Sequence, residues 1–247
     1  RMLFFRYLDR LDNDPLAALI FFGALVTALV VGISFHEFSH AYIADSMGDS
    51  LPRSRGRVTL NPLAHLDPAG TIFLFLVGFG WGKPVPVNPN VSNNPKAMMA
   101  IVAGAGPVSN FLVAALAGLP LQLGLVPWLS PFNFAVLDRF LFVGFGFDEY
   151  LGLYLSAIVL ISIILGVFNL LPIFPLDGHR VIPAFLNDVA ARDYMRFQSR
   201  YGFIILIVLI ALPFLTGGQF GVLFEVMSPI INVLARLFAG IDEDVFG

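Results

Sequence analysis

The sequence lacks cysteine and is poor in charged residues. With no Cys among 247 residues, a disulfide scaffold, a thiolate metal site and a cysteine nucleophile are excluded. Only 13% of the residues are charged and 57% are hydrophobic before glycine is counted, whereas a soluble domain has about 25% charged residues. A formal net charge of −3 provides no electrostatic attraction for nucleic acid. The composition therefore excludes a soluble enzyme as the default and predicts a protein whose partner is the lipid bilayer, with no nucleic-acid partner.

Long apolar runs are what the sequence has in place of charge. A membrane-spanning helix needs about 20 mostly apolar residues. We interpret five runs as spans: Leu16–Phe35, Ala97–Leu125, Tyr150–Leu171, Tyr201–Leu215 and Phe220–Ala239. A further run, Ala69–Trp81, is too short to cross and ends among glycines, so we interpret it as re-entrant. The pattern predicts an all-α polytopic membrane protein with about five spans and one re-entrant segment.

The connections between the runs predict the remaining organisation. The alternation over Arg55–Leu60 predicts a short strand, and hence a small β element near the cytosolic surface. The chain contains no internal repeat and no Gly/Ser linker. We therefore expect a single membrane-embedded domain over residues 1–247, with a core over about residues 16–187 and a C-terminal helical pair over about residues 201–239.

Positive residues predict the orientation, because cytosolic loops carry an excess of Lys and Arg. Two loops are rich in arginine, with Arg53, Arg55 and Arg57 in one and Arg180, Arg192, Arg196 and Arg200 in the other. We expect both loops, together with Lys83–Lys96, to be cytosolic. The loop Val126–Asp148 carries only Arg139 and is expected outside, as is the N-terminus.

The first span ends in His36-Glu37-Phe38-Ser39-His40, an HExxH motif. Residues i and i+4 share one face of a helix, so both imidazoles can reach one cation. Catalytic zinc takes three protein ligands and a water, and Glu37 lies close enough to accept a proton from that water. The alternative is a packed pair of core histidines. Ionisable side chains on an otherwise uncharged membrane helix are costly, which favours function.

The third ligand has to come from elsewhere in the chain. Asp177 is the best candidate, because it follows a span at an end broken by Pro172 and Pro175, at the depth expected for His36 and His40. The alternative is that Asp177 caps a helix starting at Gly178. The spacing alone leaves these two interpretations equal.

These residues resemble the site-2 protease family of intramembrane zinc metalloproteases, in the short bacterial or archaeal form without a PDZ domain. His36–His40 matches its HExxH motif, and Asn169–Gly178 matches its Asn-x-x-Pro-x-x-x-Leu-Asp-Gly motif at all five fixed positions. Gly106–Asn110 resembles its Gly-x-x-x-Asn element. The resemblance covers about residues 20–185.

The resemblance implies the site and the reaction. It implies that His36, His40 and Asp177 bind one zinc ion, that Glu37 is the general base, and that Asn110 is a catalytic residue whose amide binds the substrate backbone or the developing oxyanion. A helix–helix hydrogen bond is the alternative for Asn110. The implied substrate is a transmembrane protein or peptide, cleaved in or near its transmembrane segment as in regulated intramembrane proteolysis. The implied location is a prokaryotic cell membrane, with the site opening toward the cytosol.

Three polar residues near the motifs each have two interpretations. Asn169 either contacts the substrate or bonds the backbone freed by Pro172. His65 is either a turn histidine or a neighbour of the site, and His179 lies either behind the site or on the surface. An exposed edge at Val58–Leu60, or less favourably at Pro84–Val87, would hold an unwound substrate. The alternative functions are a divalent-metal transporter, which needs no non-ligating Glu37, and a non-catalytic membrane scaffold.

Overall fold

The described residues form helices and connecting turns. A computed structural model describes residues 15–68, 70, 82–133, 136, 139, 145–217, 221–242 and 245. In chain order the helices are α1 (Pro15–Ser46), α2 (Leu51–Ser54), α3 (Pro95–Gln122), α4 (Phe147–Asn169), α5 (Gly178–Val181), α6 (Asp188–Phe197), α7 (Phe203–Leu215) and α8 (Val222–Ala239). Short 3₁₀ turns occupy Pro62–Ala64, Pro89–Val91 and Ile182–Phe185, and a π-helical turn, Gln198–Gly202, joins α6 to α7.

Five of these helical stretches are long and apolar enough to cross a membrane: Leu19–Ser46, Pro95–Gln122, Phe147–Asn169, Asp188–Leu215 and Val222–Ala239. The prediction of an all-α protein with about five spans is confirmed for the described part of the chain. The predicted re-entrant run Ala69–Trp81 lies outside the described residues apart from Gly70, and so does the N-terminal segment before Pro15.

α1 is longer than the sequence pattern predicts. The apolar run is expected to end near Phe35, but the helix continues to Ser46, because no proline follows Pro15 in it and Gly48 is the first left-handed glycine among the described residues. Gly48 has φ +97°, a left-handed conformation that ends the helix at low cost only in glycine. The HExxH motif therefore lies in the interior of a 32-residue helix, not at its end.

The boundaries of the other spans differ from the prediction in informative ways. α3 passes through Gly104–Pro107 without interruption and ends before Gly124, which has φ +68°. α4 ends at Asn169, ahead of Pro172, as predicted. The helical stretch that carries the fourth span starts at Asp188, well before the predicted Tyr201, because the polar α6 and the π turn continue without a break into the apolar α7.

The predicted strand over Arg55–Leu60 is wrong, since these residues form turns and coil, and the described residues contain no sheet. Gly56 has φ +66°, which a strand does not accommodate. Arg57 is 3% exposed and donates hydrogen bonds to the carbonyl oxygens of Ala64 and Lys83. A pattern that alternates in the sequence thus folds as a turn around a buried guanidinium, and the β structure among described residues is one isolated antiparallel bridge, Leu66 to Gly82.

The chain divides into two compact units. The first comprises Arg1–Val31, Leu112–Ile163 and Ile231–Gly247. In its described part, the core contains small residues of α1 and α4 packed with larger apolar side chains: Phe21, Ala24, Ala28, Leu129, Leu153 and Ala157. Glycine permits close packing in this unit, because a Cβ on Gly118 would lie 2.2 Å from the carbonyl oxygen of Phe238.

The second unit comprises Gly32–Phe111 and Ile164–Ile230 and contains every candidate site residue named above. Ala44, Met98 and Val102 form a buried cluster between the end of α1 and the start of α3. This packing fixes the segment of α3 that faces the HExxH turn of α1. The prediction of one domain over residues 1–247 stays a prediction.

Candidate metal centre

Three metal-binding side chains converge in the second unit. His36 and His40 lie one turn apart on α1, and Asp177 follows α4 in the loop Leu170–Asp177. Asp177 Oδ2 lies 3.0 Å from His36 Nε2 and 3.1 Å from His40 Nε2. One donor atom from each residue lies within 4.8 Å of the others, so the three residues form a group that can hold a metal ion.

The opposite nitrogen of each imidazole is held by α3. His40 Nδ1 lies 2.6 Å from the carbonyl oxygen of Val102, and His36 Nδ1 lies 3.0 Å from Asn110 Oδ1. Because a carbonyl oxygen only accepts hydrogen bonds, each Nδ1 carries the proton and each neutral Nε2 presents a lone pair. Such outer partners orient metal-binding histidines and fix their tautomer.

This donor set fits zinc. Two Nε2 lone pairs and an ionised Oδ2 at 3.0–3.1 Å repel one another unless a cation or a proton lies between them. Zinc binds His nitrogen and carboxylate oxygen at about 2.0–2.2 Å, which places tetrahedral ligand atoms about 3.3 Å apart. The observed separations are close to that value, and a single ion satisfies all three donors.

Asp177 does not act as a helix cap. It occupies the N-cap position of α5, but its side chain makes no capping hydrogen bond and faces the two histidines. The side chain of Asp177 is therefore available as a metal ligand, a role in which the carboxyl is ionised.

Gly106 allows α3 to approach the two histidines. A Cβ built on Gly106 would lie 2.5 Å from His40 Nε2 and 2.6 Å from both His36 Cε1 and His40 Cε1. Any side chain at this position would occupy space next to the donor atoms. The absence of a side chain at Gly106 thus leaves room on the α3 side of the centre.

Glu37 lies beside the segment that follows the isolated bridge. A Cβ on Gly82 would lie 3.2 Å from Glu37 Oε1 and 3.3 Å from the backbone oxygen of His65. Lys83 N donates to that same His65 oxygen at 2.7 Å. Burial lowers the pKa of Arg57, and the charge of Glu37 opposes this shift. Glu37 therefore lies next to the bridge between Leu66 and Gly82, and Arg57 joins the two bridged segments by donating to the carbonyl oxygens of Ala64 and Lys83.

Asn110 contacts the centre through His36. It is fully buried, its Oδ1 accepts from His36 Nδ1, and its Nδ2 has no hydrogen-bond partner among the described residues. The helix–helix hydrogen bond that the sequence offered as the alternative for Asn110 is therefore present, and it ends on a histidine of the donor group.

The structure does not bring His65, Asn169 or His179 into the donor group. His65 is buried and its Nε2 donates to the carbonyl oxygen of Thr59 at 2.6 Å. Asn169 donates to Leu165 within α4, at 3.0 Å. His179 is buried rather than on the surface, where its Nδ1 bonds the carbonyl of Leu176 and its ring packs edge-on against Phe174.

Sequence reasoning missed several residues around the centre. The sequence pattern assigns Arg57 to a cytosolic surface charge cluster, although the fold buries it. No motif marks Gln198, although it is 6% exposed and binds the loop that carries Asp177. A signal for Gln198 existed, since Ala191, Gln198 and Gly202 recur at helical spacing as the buried face of α6 and the π turn.

An HExxH motif on a helix able to span a membrane, with a carboxylate completing the donor group, defines a membrane metalloprotease. The family model for peptidase family M50 matches residues 146–212. The chain is 34% identical over 234 residues to a protein of Bacillus subtilis provisionally named zinc metalloprotease YwhC, covering 95% of this chain and 98% of that protein. The chain belongs to peptidase family M50, the site-2 protease family, as the motifs predicted.

Two further relatives carry the provisional name zinc metalloprotease Rip2. The protein of Mycolicibacterium smegmatis is 28% identical over 218 residues, and that of Mycobacterium tuberculosis is 29% identical over 215 residues. Each alignment covers 85% of this chain and 75% of the relative. No solved structure matches the chain significantly. The chain is thus an integral membrane zinc metalloprotease, and its donor group fits one zinc ion.

Proposed function

We propose that this protein is a zinc-dependent intramembrane endopeptidase that hydrolyses a peptide bond in or near a transmembrane segment of membrane-protein substrates, as in regulated intramembrane proteolysis. The observation that carries the proposal is that Asp177 Oδ2 lies 3.0–3.1 Å from the Nε2 atoms of His36 and His40, two histidines on a helix able to cross a membrane. We assign the zinc ion to these three side chains.

When bound, zinc supplies Lewis acidity, which makes water nucleophilic at neutral pH and polarises the peptide carbonyl. Glu37 does not belong to the donor group, so its carboxylate is free to accept a proton from the attacking water and to pass it to the leaving amine. The oxygen Oε1 beside Gly82 is the one we expect to face the substrate.

We assign different roles to the oxygen and the nitrogen of the Asn110 amide. Its Oδ1 orients His36, and its Nδ2 is a donor left for a substrate carbonyl or the developing oxyanion. A buried donor without a partner costs about 1–3 kcal/mol, and a substrate oxygen would relieve that cost.

The substrate has to expose its backbone, because an intact transmembrane helix uses its carbonyls internally. The edge expected at Val58–Leu60 does not exist as a strand. The segment Lys83–Asn88 is neither helix nor turn, and it follows directly on the bridge residue Gly82 beside Glu37. We therefore assign the binding of unwound substrate backbone to this segment.

The site is proposed to open toward the cytosol of a prokaryotic cell. The support is the charge asymmetry of the loops: Arg53 and Arg55 are exposed after α1, and Arg192, Arg196 and Arg200 are exposed along α6 and the π turn. Arg57 is buried and therefore adds nothing to this exposed charge.

The substitution Glu37→Gln tests the proposal. Gln preserves the shape of the side chain but accepts no proton at neutral pH, so we expect full zinc content and a loss of peptide cleavage of about 10²–10⁴-fold. Glu225→Gln, on the exposed side of α8, is the matched control and should keep both properties. Zinc content and cleavage of a membrane-protein substrate are measured on the same detergent-solubilised samples.

The same experiment separates the protease from a divalent-metal transporter. A transit site does not need a non-ligating base, so a transporter would keep its zinc flux into liposomes when Glu37 is replaced. Near-parental cleavage by Glu37→Gln at full zinc content would remove Glu37 from its role. Zinc flux by a parent protein that cleaves no membrane substrate would favour the transporter, which nothing in the family assignment supports.

A further inference from the structure

The loop Leu170–Asp177, which we call the ligand loop, has little regular structure of its own. Pro172 and Pro175 remove two backbone donors, and two short-range backbone bonds lie within it, Ile173 N to Leu171 O at 2.8 Å and Leu176 N to Ile173 O at 2.9 Å. Its position relative to α1 therefore depends on contacts with other elements. Those contacts matter because Asp177 is the one member of the donor group that does not lie on α1.

Gln198 holds the ligand loop through both ends of its amide. Its Nε2 donates to the carbonyl oxygen of Pro172 at 2.7 Å, and its Oε1 accepts from the backbone N–H of Phe174 at 2.9 Å. The hydroxyl of Tyr194, one turn earlier, donates to the same Pro172 oxygen at 3.0 Å. Gln198 is 6% exposed, so its own two bonds are largely shielded from water, whereas the bond from Tyr194 is exposed. The buried amide of Gln198 thus holds the backbone of the ligand loop at two points, Pro172 and Phe174.

The backbone around Gln198 is shaped for this contact. A Cβ on Gly202 would lie 2.7 Å from Phe174 Cβ and 2.5 Å from Gln198 Oε1, so the helix approaches the loop only with glycine at that position. Gln198–Gly202 is also the π-helical turn between α6 and α7. π turns are rare, and they occur frequently at functional sites. The irregular turn and the missing side chain both lie where the helix meets the ligand loop.

We propose that Gln198 is a positioning residue of the metal centre: it fixes the ligand loop so that Asp177 Oδ2 stays within reach of the metal held by His36 and His40. This proposal rests on the assignment of Asp177 as a zinc ligand. Gln198 acts through the backbone of Pro172 and Phe174 and touches neither the metal nor the substrate. Removal of an outer partner of a metal ligand typically costs 10–100-fold in metal affinity.

The test compares four variants in detergent by zinc affinity, measured by competition with a chelator, and by the absorption bands of the cobalt(II)-substituted protein. Gln198→Met has a similar length and no hydrogen bonds to offer. Gln198→Glu keeps the acceptor for Phe174 and loses the donor to Pro172. Gln122→Met, an exposed site at the end of α3, is the matched control, and Asp177→Asn checks the ligand assignment itself.

We expect Gln198→Met to bind zinc about 10–100-fold more weakly, with altered cobalt bands, and Gln198→Glu to show a smaller loss. Gln122→Met should equal the parent. A residue that served stability alone would lower the unfolding temperature of the metal-free protein but leave the zinc affinity and the cobalt bands of the folded fraction unchanged, and that result would overturn the proposal. Should Gln198→Met not fold, parental affinity and bands in Gln198→Glu would overturn it.

The Asp177→Asn variant distinguishes a failure of the ligand assignment of Asp177 from a failure of the role proposed for Gln198. A loss of affinity in Asp177→Asn together with parental affinity in the Gln198 variants removes only the role of Gln198. Parental affinity in Asp177→Asn removes Asp177 from the metal centre, and the role proposed for Gln198 falls with it. A loss in both, with the Gln122 control intact, supports both assignments.

Discussion

Gly106→Ala is the smallest change that should disable the metal centre. The added methyl group would lie 2.5–2.6 Å from three ring atoms of His36 and His40, whereas an ordinary contact requires about 3.4 Å. The overlap is therefore close to 1 Å. The two rings have little freedom to move away, because Asn110 and the carbonyl of Val102 hold their Nδ1 atoms.

Two opposing effects on stability partly cancel for this substitution. An overpacked methyl group costs about 1–3 kcal/mol. Replacing glycine by alanine inside a helix gains about 0.8–1.0 kcal/mol. The net loss of folding free energy is therefore about 0–2 kcal/mol, and we expect the variant to fold. A displacement of about 1 Å at a catalytic centre costs about 10²-fold in rate, so the effect on function should be far larger than the effect on stability.

Gly104→Ala is the matched control, because Gly104 is on the same helix two residues earlier and a Cβ there meets no atom within 4 Å. We expect Gly104→Ala to equal the parent in zinc content and cleavage, with equal or higher thermal stability. Gly106→Ala should lose at least tenfold in zinc affinity and about 10²-fold in cleavage. If Gly106→Ala binds zinc and cleaves substrate as the parent does, α3 does not approach the two histidines as closely as this reasoning requires.

Three other outcomes follow from the same geometry. Asp177→Asn should lose more bound zinc than His179→Ala, since the amide no longer neutralises the dication; equal zinc in parent and Asp177→Asn would exclude the carboxylate as a ligand. Asn110→Leu should weaken zinc binding by about 10-fold, because His36 Nδ1 loses its acceptor, and unchanged affinity would contradict that role. A single cysteine at position 90, where Asn90 is exposed, should react with an impermeant reagent from the cytosolic side; labelling only from outside would refute the orientation.

Much of the secondary structure of this protein could be predicted from local sequence patterns, because these features depend on residues that are close together in the chain. The length and apolarity of each run predict a membrane helix whatever else is nearby, so about five spans were predicted and five are found among the described residues. The spacing of His36 and His40 fixes a shared helix face in the same way. Gly48 and Gly124 show the limit of this reasoning, since the ends of α1 and α3 were misplaced by the apolar pattern and are instead set by left-handed glycines.

The sequence alone could not choose between a capping and a metal-binding role for Asp177, 137 residues away from His40 along the chain. The fold excludes the capping bond, since the side chain makes none, and it places the carboxylate against both imidazoles, which supports the proposed role as a ligand.

The fold likewise decided the role of residues whose meaning depends on burial. Arg57 lies in an arginine-rich stretch that indicates an exposed loop, yet it is buried and bonded to two carbonyls, and the strand predicted around it is absent. Gln198 belongs to no motif, and the Gly-x-x-x-Asn element that contains Gly106 does not reveal what its glycine does. Their importance comes from distant segments: the Pro172 oxygen lies 2.7 Å from Gln198 Nε2, and a Cβ on Gly106 would lie 2.5–2.6 Å from ring atoms of His36 and His40. Such non-local contacts are what tertiary structure adds to the sequence.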